Sequence, residues 1–145
     1  MDRRGFSLIE MLIVVVLIGI LAAFGVPRIR QGMESSRVSG ARVAISTMNA
    51  KAKALAVQRS LVVQLIVAGN EVRLESRHPV TGVSTVVDRQ DLYASYGVTV
   101  GSTRDTLRYD PRGLGLQNSA TTVVVSRPGG FADTVVINSL GGIQR

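Results

Sequence analysis

The chain has 145 residues, with 17 basic side chains against 10 acidic ones, one histidine, no cysteine and a formal net charge of +7. That length supports one small domain beside a membrane segment and argues against a second globular domain. The missing cysteines exclude disulfides and thiolate metal sites, and a single histidine gives a catalytic or metal-binding cluster little to build on.

The first element is apolar. After a short basic leader with Arg3 and Arg4, residues 6–26 hold one charge, Glu10. As a helix these 21 residues are roughly 31 Å long, which matches a bilayer's hydrocarbon core of roughly 30 Å. An acid inside such a helix costs on the order of 2–3 kcal/mol unless something compensates it, so Glu10 calls for a partner. Pro27 follows Gly25 in what reads as continuing helix, and its missing N–H predicts a kink or a local break. Small residues at Gly19 and Ala23, and at Ala22 and Gly25, suit close helix packing.

The order Gly5-Phe6-Ser7-Leu8-Ile9-Glu10, with a basic leader before it and an apolar run to Pro27 after it, resembles the N-terminus of type IV pilins and type II secretion pseudopilins. Ser7 stands where threonine is commoner, a conservative departure. The resemblance implies that a prepilin peptidase cuts between Gly5 and Phe6 and methylates the new Phe6 amine. It further implies that Glu10 compensates such an amine, usually a neighbouring subunit's, and so sets register. The partners expected are prepilin peptidase, other pilin or pseudopilin subunits, an inner-membrane assembly platform and the lipid bilayer. The leader is expected in the cytoplasm and the head in the periplasm, with the subunit passing from the inner membrane into a pilus or pseudopilus. Charge alone does not set this orientation, because Arg28, Arg30, Arg37 and Arg42 follow the span as closely as Arg3 and Arg4 precede it. The absent cysteines depart from many major pilins and favour the pseudopilin and minor-pilin branches. The rival reading is a secretory signal peptide cut after Ala22-Ala23, before Phe24; Glu10 would then lie in its apolar region, which speaks against it.

Residues 28–59 carry +6 of the net charge, and residues 60–145 only +1. A basic segment beside an anchor suits lipid headgroups or partner acids better than nucleic acid. From Val38 the apolar residues become one-sided: Val38, Ala41, Ile45, Met48, Ala52 and Leu55 recur at steps of three and four, with Arg42, Asn49, Lys53 and Arg59 mainly elsewhere. This predicts an amphipathic helix laid on the chain's own sheet. Gly32 and Gly40 each weaken it by about 1 kcal/mol relative to alanine, so a bend or interruption is expected between anchor and amphipathic part.

After Ser60 short strands are predicted at residues 61–67 and 72–77, joined as a hairpin through Gly69-Asn70, then at 83–87, 96–100, 106–109, 121–125 and 134–137. Residues 88–91 read as a polar loop, and the Pro111-Arg112-Gly113 and Pro128-Gly129-Gly130 segments as turns. The expected fold is α+β, with a long N-terminal helix, membrane-spanning in its first half and amphipathic in its second, packed on a small, mainly antiparallel β-sheet head. Its divisions are a leader (1–5), a transmembrane and polymerisation helix (6–27), an amphipathic helix (28–59) and a β-rich head (60–145).

The stretch A-K-A-L-A-V-Q-R-S-L-V-V-Q-L, the segment L-R-Y-D-P-R-G and the closing V-V-I-N-S-L-G-G-I are similar to GspH-type pseudopilins and FimT-type minor pilins. FimT-type proteins that bind DNA carry arginines in a tail after a glycine; here Gly141 is followed only by Gly142-Ile143-Gln144-Arg145, so Arg145 alone corresponds. DNA capture is therefore an alternative that is not favoured. No catalytic constellation, cofactor or metal site is expected: His78 reads as an exposed turn residue. Asp88, Asp91, Asp105 and Asp110 read as loop acids that pair with arginines and lack calcium-loop spacing. The combined expectation is a structural pilin or pseudopilin subunit and not an enzyme.

Overall fold

The computed structural model describes residues 7–78 and 80–144. The chain forms two compact units, one up to Glu34 and one from Ser35 onward. The first helix, α1 (Leu8–Arg59), contributes to both. Helix is continuous through Pro27, Gly32 and Gly40, so the interruption expected there is absent. Gly40 has a packing reason: a Cβ on it would lie 2.9 Å from Cε1 of Tyr96.

The second unit follows with strands β1 (Val62–Ala68), β2 (Glu71–Arg77) and β3 (Ser84–Asp91), then a single-turn helix α2 (Leu92–Tyr96). Strands β4 (Thr99–Ser102), β5 (Thr106–Tyr109), β6 (Thr121–Ser126), β7 (Ala132–Ile137) and β8 (Ile143–Gln144) complete it. They make two four-stranded sheets, ordered β3-β2-β1-β5 and β4-β6-β7-β8, with every pairing antiparallel. The β1–β2 hairpin runs in unbroken register from Ala68↔Glu71 to Val62↔Arg77, as the branched residues around Gly69-Asn70 predict.

Strand alternation sends Val63, Leu65 and Val67 of β1, Val72 and Leu74 of β2, Leu107 and Tyr109 of β5, Val123 and Val125 of β6, and Val135 and Ile137 of β7 inward. They join Val38, Ala41, Ile45, Met48, Ala52 and Ala56 of α1 in one core. The amphipathic stripe is thus the helix's contact with its own sheets, as its spacing predicts. Leu55 is only partly buried and Ala56 takes the deeper position.

Two expectations are corrected. Residues 88–91 are strand and not loop: β3 continues to Asp91, paired with β2 to Glu71↔Asp91. Leu74 opposes Asp88 while Glu75 opposes Val86, which leaves Val87 as the extra residue of a β-bulge. The bulge lets consecutive residues work on the helix side, Val87 against the core and Asp88 with its carboxylate on the Lys51 ammonium of α1. Residues 96–98 are not strand either. Asp91 caps α2 by accepting the Ala94 N–H at 2.9 Å, and Gly97, with φ 66°, closes it by donating to the Tyr93 carbonyl. This turn buries Leu92 and delays β4 to Thr99.

Candidate assembly site

The first turn of α1 starts from Ser7, whose carbonyl accepts the N–H groups of Glu10 and Met11 at 3.1 and 3.2 Å. Glu10 is the acid of that first turn and is exposed. Its charge there meets the positive end of the helix dipole, a favourable term of about 0.3–1 kcal/mol at a surface, smaller than the cost of inserting a carboxylate into lipid. Gly5 and Phe6, the expected cleavage and methylation residues, and Arg145, the expected nucleic-acid contact, lie outside the described residues, as does the 1–5 leader.

Between Leu8 and Val26, fourteen large apolar side chains are exposed, Leu8 at 83% and Phe24 at 75%. At about 1.5 kcal/mol for each such side chain, keeping them in water would cost on the order of 20 kcal/mol, more than the roughly 5–15 kcal/mol by which a whole domain is stable. α1 is also long and apolar enough in this part to cross a membrane. Gly19 and Gly25 have no other part of the described chain within 4 Å of where a Cβ would stand. Each costs about 1 kcal/mol of helix propensity, so the use of glycine at these two positions is not accounted for within the chain.

The head end of α1 is tied to both sheets. The Arg42 guanidinium lies 3.3 Å from the Asp133 carboxylate on β7, and Lys51 pairs with Asp88 on β3. The hydrogen bond from Lys51 is the main reason the Asp88 carboxyl is held below its usual range. Between them Asn49, 2% exposed, donates to the Gly141 carbonyl at 3.1 Å and accepts from the buried Tyr109 hydroxyl. Lys53 Nζ approaches the same carbonyl at 3.5 Å. Burial pushes the Tyr109 phenol well above its ordinary value of 10.

The acids noted in the sequence are kept apart. Asp88 meets Lys51, Asp91 caps α2, and the Asp105 carbonyl accepts from Val67. Asp110 organises the turn that carries Pro111 and Gly113: its carboxylate accepts the Leu114 and Arg112 amides and Arg112 Nε, each at 2.9 Å. Those bonds, the Leu114 amide first, hold its carboxyl below the usual range. Gly113, at φ 79°, lets the turn settle on α1, where a Cβ would stand 3.0 Å from Val57 Cγ2. His78 is exposed, and its Nδ1 accepts the Val80 and Thr81 amides at 3.3 Å, the turn role expected of it. Among the described residues no three histidine, cysteine or acidic side chains gather as a metal site would require.

Residues 1–26 match the family described as the prokaryotic N-terminal methylation motif. Two crystal forms of the type IV minor pilin FimU from Pseudomonas aeruginosa strain PAO1 share the fold at 13% sequence identity. One aligns over 75% of this chain and 87% of FimU with a TM-score of 0.62, the other over 73% and 90% with a TM-score of 0.57. The fold is that of a type IV pilin. No curated protein matches it in sequence.

In this pilin fold, the residue that sequence reasoning misplaced is Asn49. Its polarity put it off the apolar stripe, yet it stands four residues after Ile45 and three before Ala52, which is the spacing of the stripe itself. A polar residue on a core stripe signals a buried hydrogen-bond partner. Tyr109 in the L-R-Y-D-P-R-G segment and Gly141 near the C-terminus supply that partner.

Proposed function

We propose that this pilin-like chain is a structural subunit, a pseudopilin or minor pilin, of a type IV pilus or a type II secretion pseudopilus. Prepilin peptidase removes residues 1–5 by cutting between Gly5 and Phe6 and methylates the Phe6 amine. Residues 6–27 hold the subunit in the inner membrane and then pack among neighbouring helices, with Pro27 kinking the helix. Residues 28–59 continue into the head, and the head, residues 60–145, occupies the periplasm. Glu10 compensates a neighbour's N-terminal amine and fixes register. The single observation that supports this reading is the naked apolar stretch from Leu8 to Val26, which lies within the residues 1–26 that match the methylation motif.

The mature N-terminus is the decisive measurement. Methylated Phe6 is expected; a chain beginning at Phe24 would mean a signal peptide and would refute the proposal. Gly5→Trp is expected to leave the precursor uncut, read as its larger size on a gel. Glu10→Ala is expected to insert and fold but to enter filaments poorly, and normal incorporation of that variant would remove the assembly role of Glu10.

A further inference from the structure

The end of the apolar stretch carries charge that the protein itself does not use. Arg28 and Arg30 are both exposed, and among the described residues neither has an ion-pair or hydrogen-bond partner, whereas Arg42 and Lys51 further along α1 are matched to Asp133 and Asp88. The nineteen residues from Leu8 to Val26 span about 28 Å, nearly the hydrocarbon thickness of a bilayer. Continuing the helix, Arg28 lies about 3 Å and Arg30 about 6 Å beyond Val26, inside a headgroup layer of roughly 5–7 Å per leaflet. Two residues turn a helix by about 200°, so the two guanidinium groups leave it on nearly opposite sides. They can therefore engage different lipids, and a guanidinium fork matches phosphate oxygens in pairs.

We infer that Arg28 and Arg30 form a headgroup site for anionic phospholipid at the head-side end of the membrane segment. The inference rests on the proposed membrane insertion of residues 6–27. It adds a consequence of leader removal: Arg3 and Arg4 leave with the leader, so arginines then flank the span at its head-side end only, and the other end keeps just the Phe6 amine. The mature subunit is held at the head-side leaflet by Arg28 and Arg30, while its other end, carrying Glu10, is released to meet a neighbour.

The absence of cysteine permits a direct test on the full-length chain. Gln31→Cys provides one labelling position beside the arginines. A fluorophore there, in vesicles of phosphatidylcholine with a minor share of phosphatidylglycerol, is quenched by either lipid spin-labelled at its headgroup. The ratio of the two quenching strengths gives relative association at this end. Arg3 and Arg4 are common to every variant and cancel in the comparison. Phosphatidylglycerol is expected to be preferred, with the preference falling about fivefold for Arg28→Gln or Arg30→Gln and about thirtyfold for both. Arg59→Gln, which removes an exposed base at the far end of α1, is expected to leave it unchanged. An undiminished preference in the double variant, or an equal loss in Arg59→Gln, overturns the site. So does a double variant that keeps its lipid preference but no longer joins filaments, since the arginines would then meet acids of a neighbouring subunit. A chain that washes from membranes at alkaline pH refutes insertion and this inference together, whereas a chain that stays but shows no lipid preference refutes the inference alone.

Discussion

Asn49→Ala tests how the head holds its last loop. The substitution removes two hydrogen bonds, from Asn49 Nδ2 to the Gly141 carbonyl and from the Tyr109 hydroxyl to Asn49 Oδ1. The carbonyl keeps only the distant Lys53 ammonium at 3.5 Å. The hydroxyl of a fully buried tyrosine is left without a partner. A net loss of about 1 kcal/mol per hydrogen bond, plus about 1–3 kcal/mol for the stranded hydroxyl with some overlap between the two, gives a destabilisation of about 2–4 kcal/mol. Tyr109→Phe removes the hydroxyl and should cost about 1–2 kcal/mol, and the double variant should cost less than the sum by about 1 kcal/mol or more. Urea unfolding of the unit from Ser35 onward, followed by circular dichroism, measures all three. A loss below about 0.5 kcal/mol for Asn49→Ala, or a coupling near zero, would show that the buried pair does not hold the loop.

Four further outcomes are expected. The stability of the head should hold up to about pH 10 and fall above it: the buried Tyr109 phenol keeps its proton in the folded state beyond the pH at which the unfolded chain releases it, and Tyr109→Phe should remove that fall. At the acid end, Asp88 and Asp110 are held below 3.8, so the stability they contribute is present above about pH 4 and lost as pH drops further; a urea midpoint series in acid reads this, and Asp88→Asn should flatten part of it. Gly141→Ala should destabilise by about 2–4 kcal/mol in the same unfolding assay, because φ is 82° and the added Cβ would stand 2.5 Å from Tyr109 Cε1. Gly19→Leu, which meets nothing in the described chain, should leave the unfolding midpoint unchanged and reduce incorporation into filaments, measured by the subunit content of sheared filament fractions.

The helix and most strands were legible because they rest on local regularities. The stripe from Val38 to Ala52 has helical spacing, and the Leu61–Arg77 region has branched residues on both sides of Gly69-Asn70. Long-range partners carry no such local mark. Asn49 looked solvent-facing because the acceptor that justifies its burial lies 92 positions away at Gly141. Asp88 to Asp91 looked like a loop because an edge strand is half solvated and tolerates polar residues, and its bulge depends on pairing with β2. The break expected at Gly40 failed for a related reason: that glycine serves the Tyr96 ring and not flexibility. Of the proposed assembly site, the apolar span and Glu10 were visible in the sequence alone, since an exposed apolar surface needs no distant partner to define it.

The ties along the head end of α1 also bear on mechanics. In the proposed filament a subunit is loaded through its helix, and the anchors at Arg42, Asn49 and Lys51 lie within about 14 Å of one another along it. They end on β7, on the Gly141 loop with β5, and on β3, so tension divides between the two sheets instead of concentrating on one strand edge. A pull must strain all three attachments together before the helix can be drawn from the head, which makes the joint resistant to stepwise peeling.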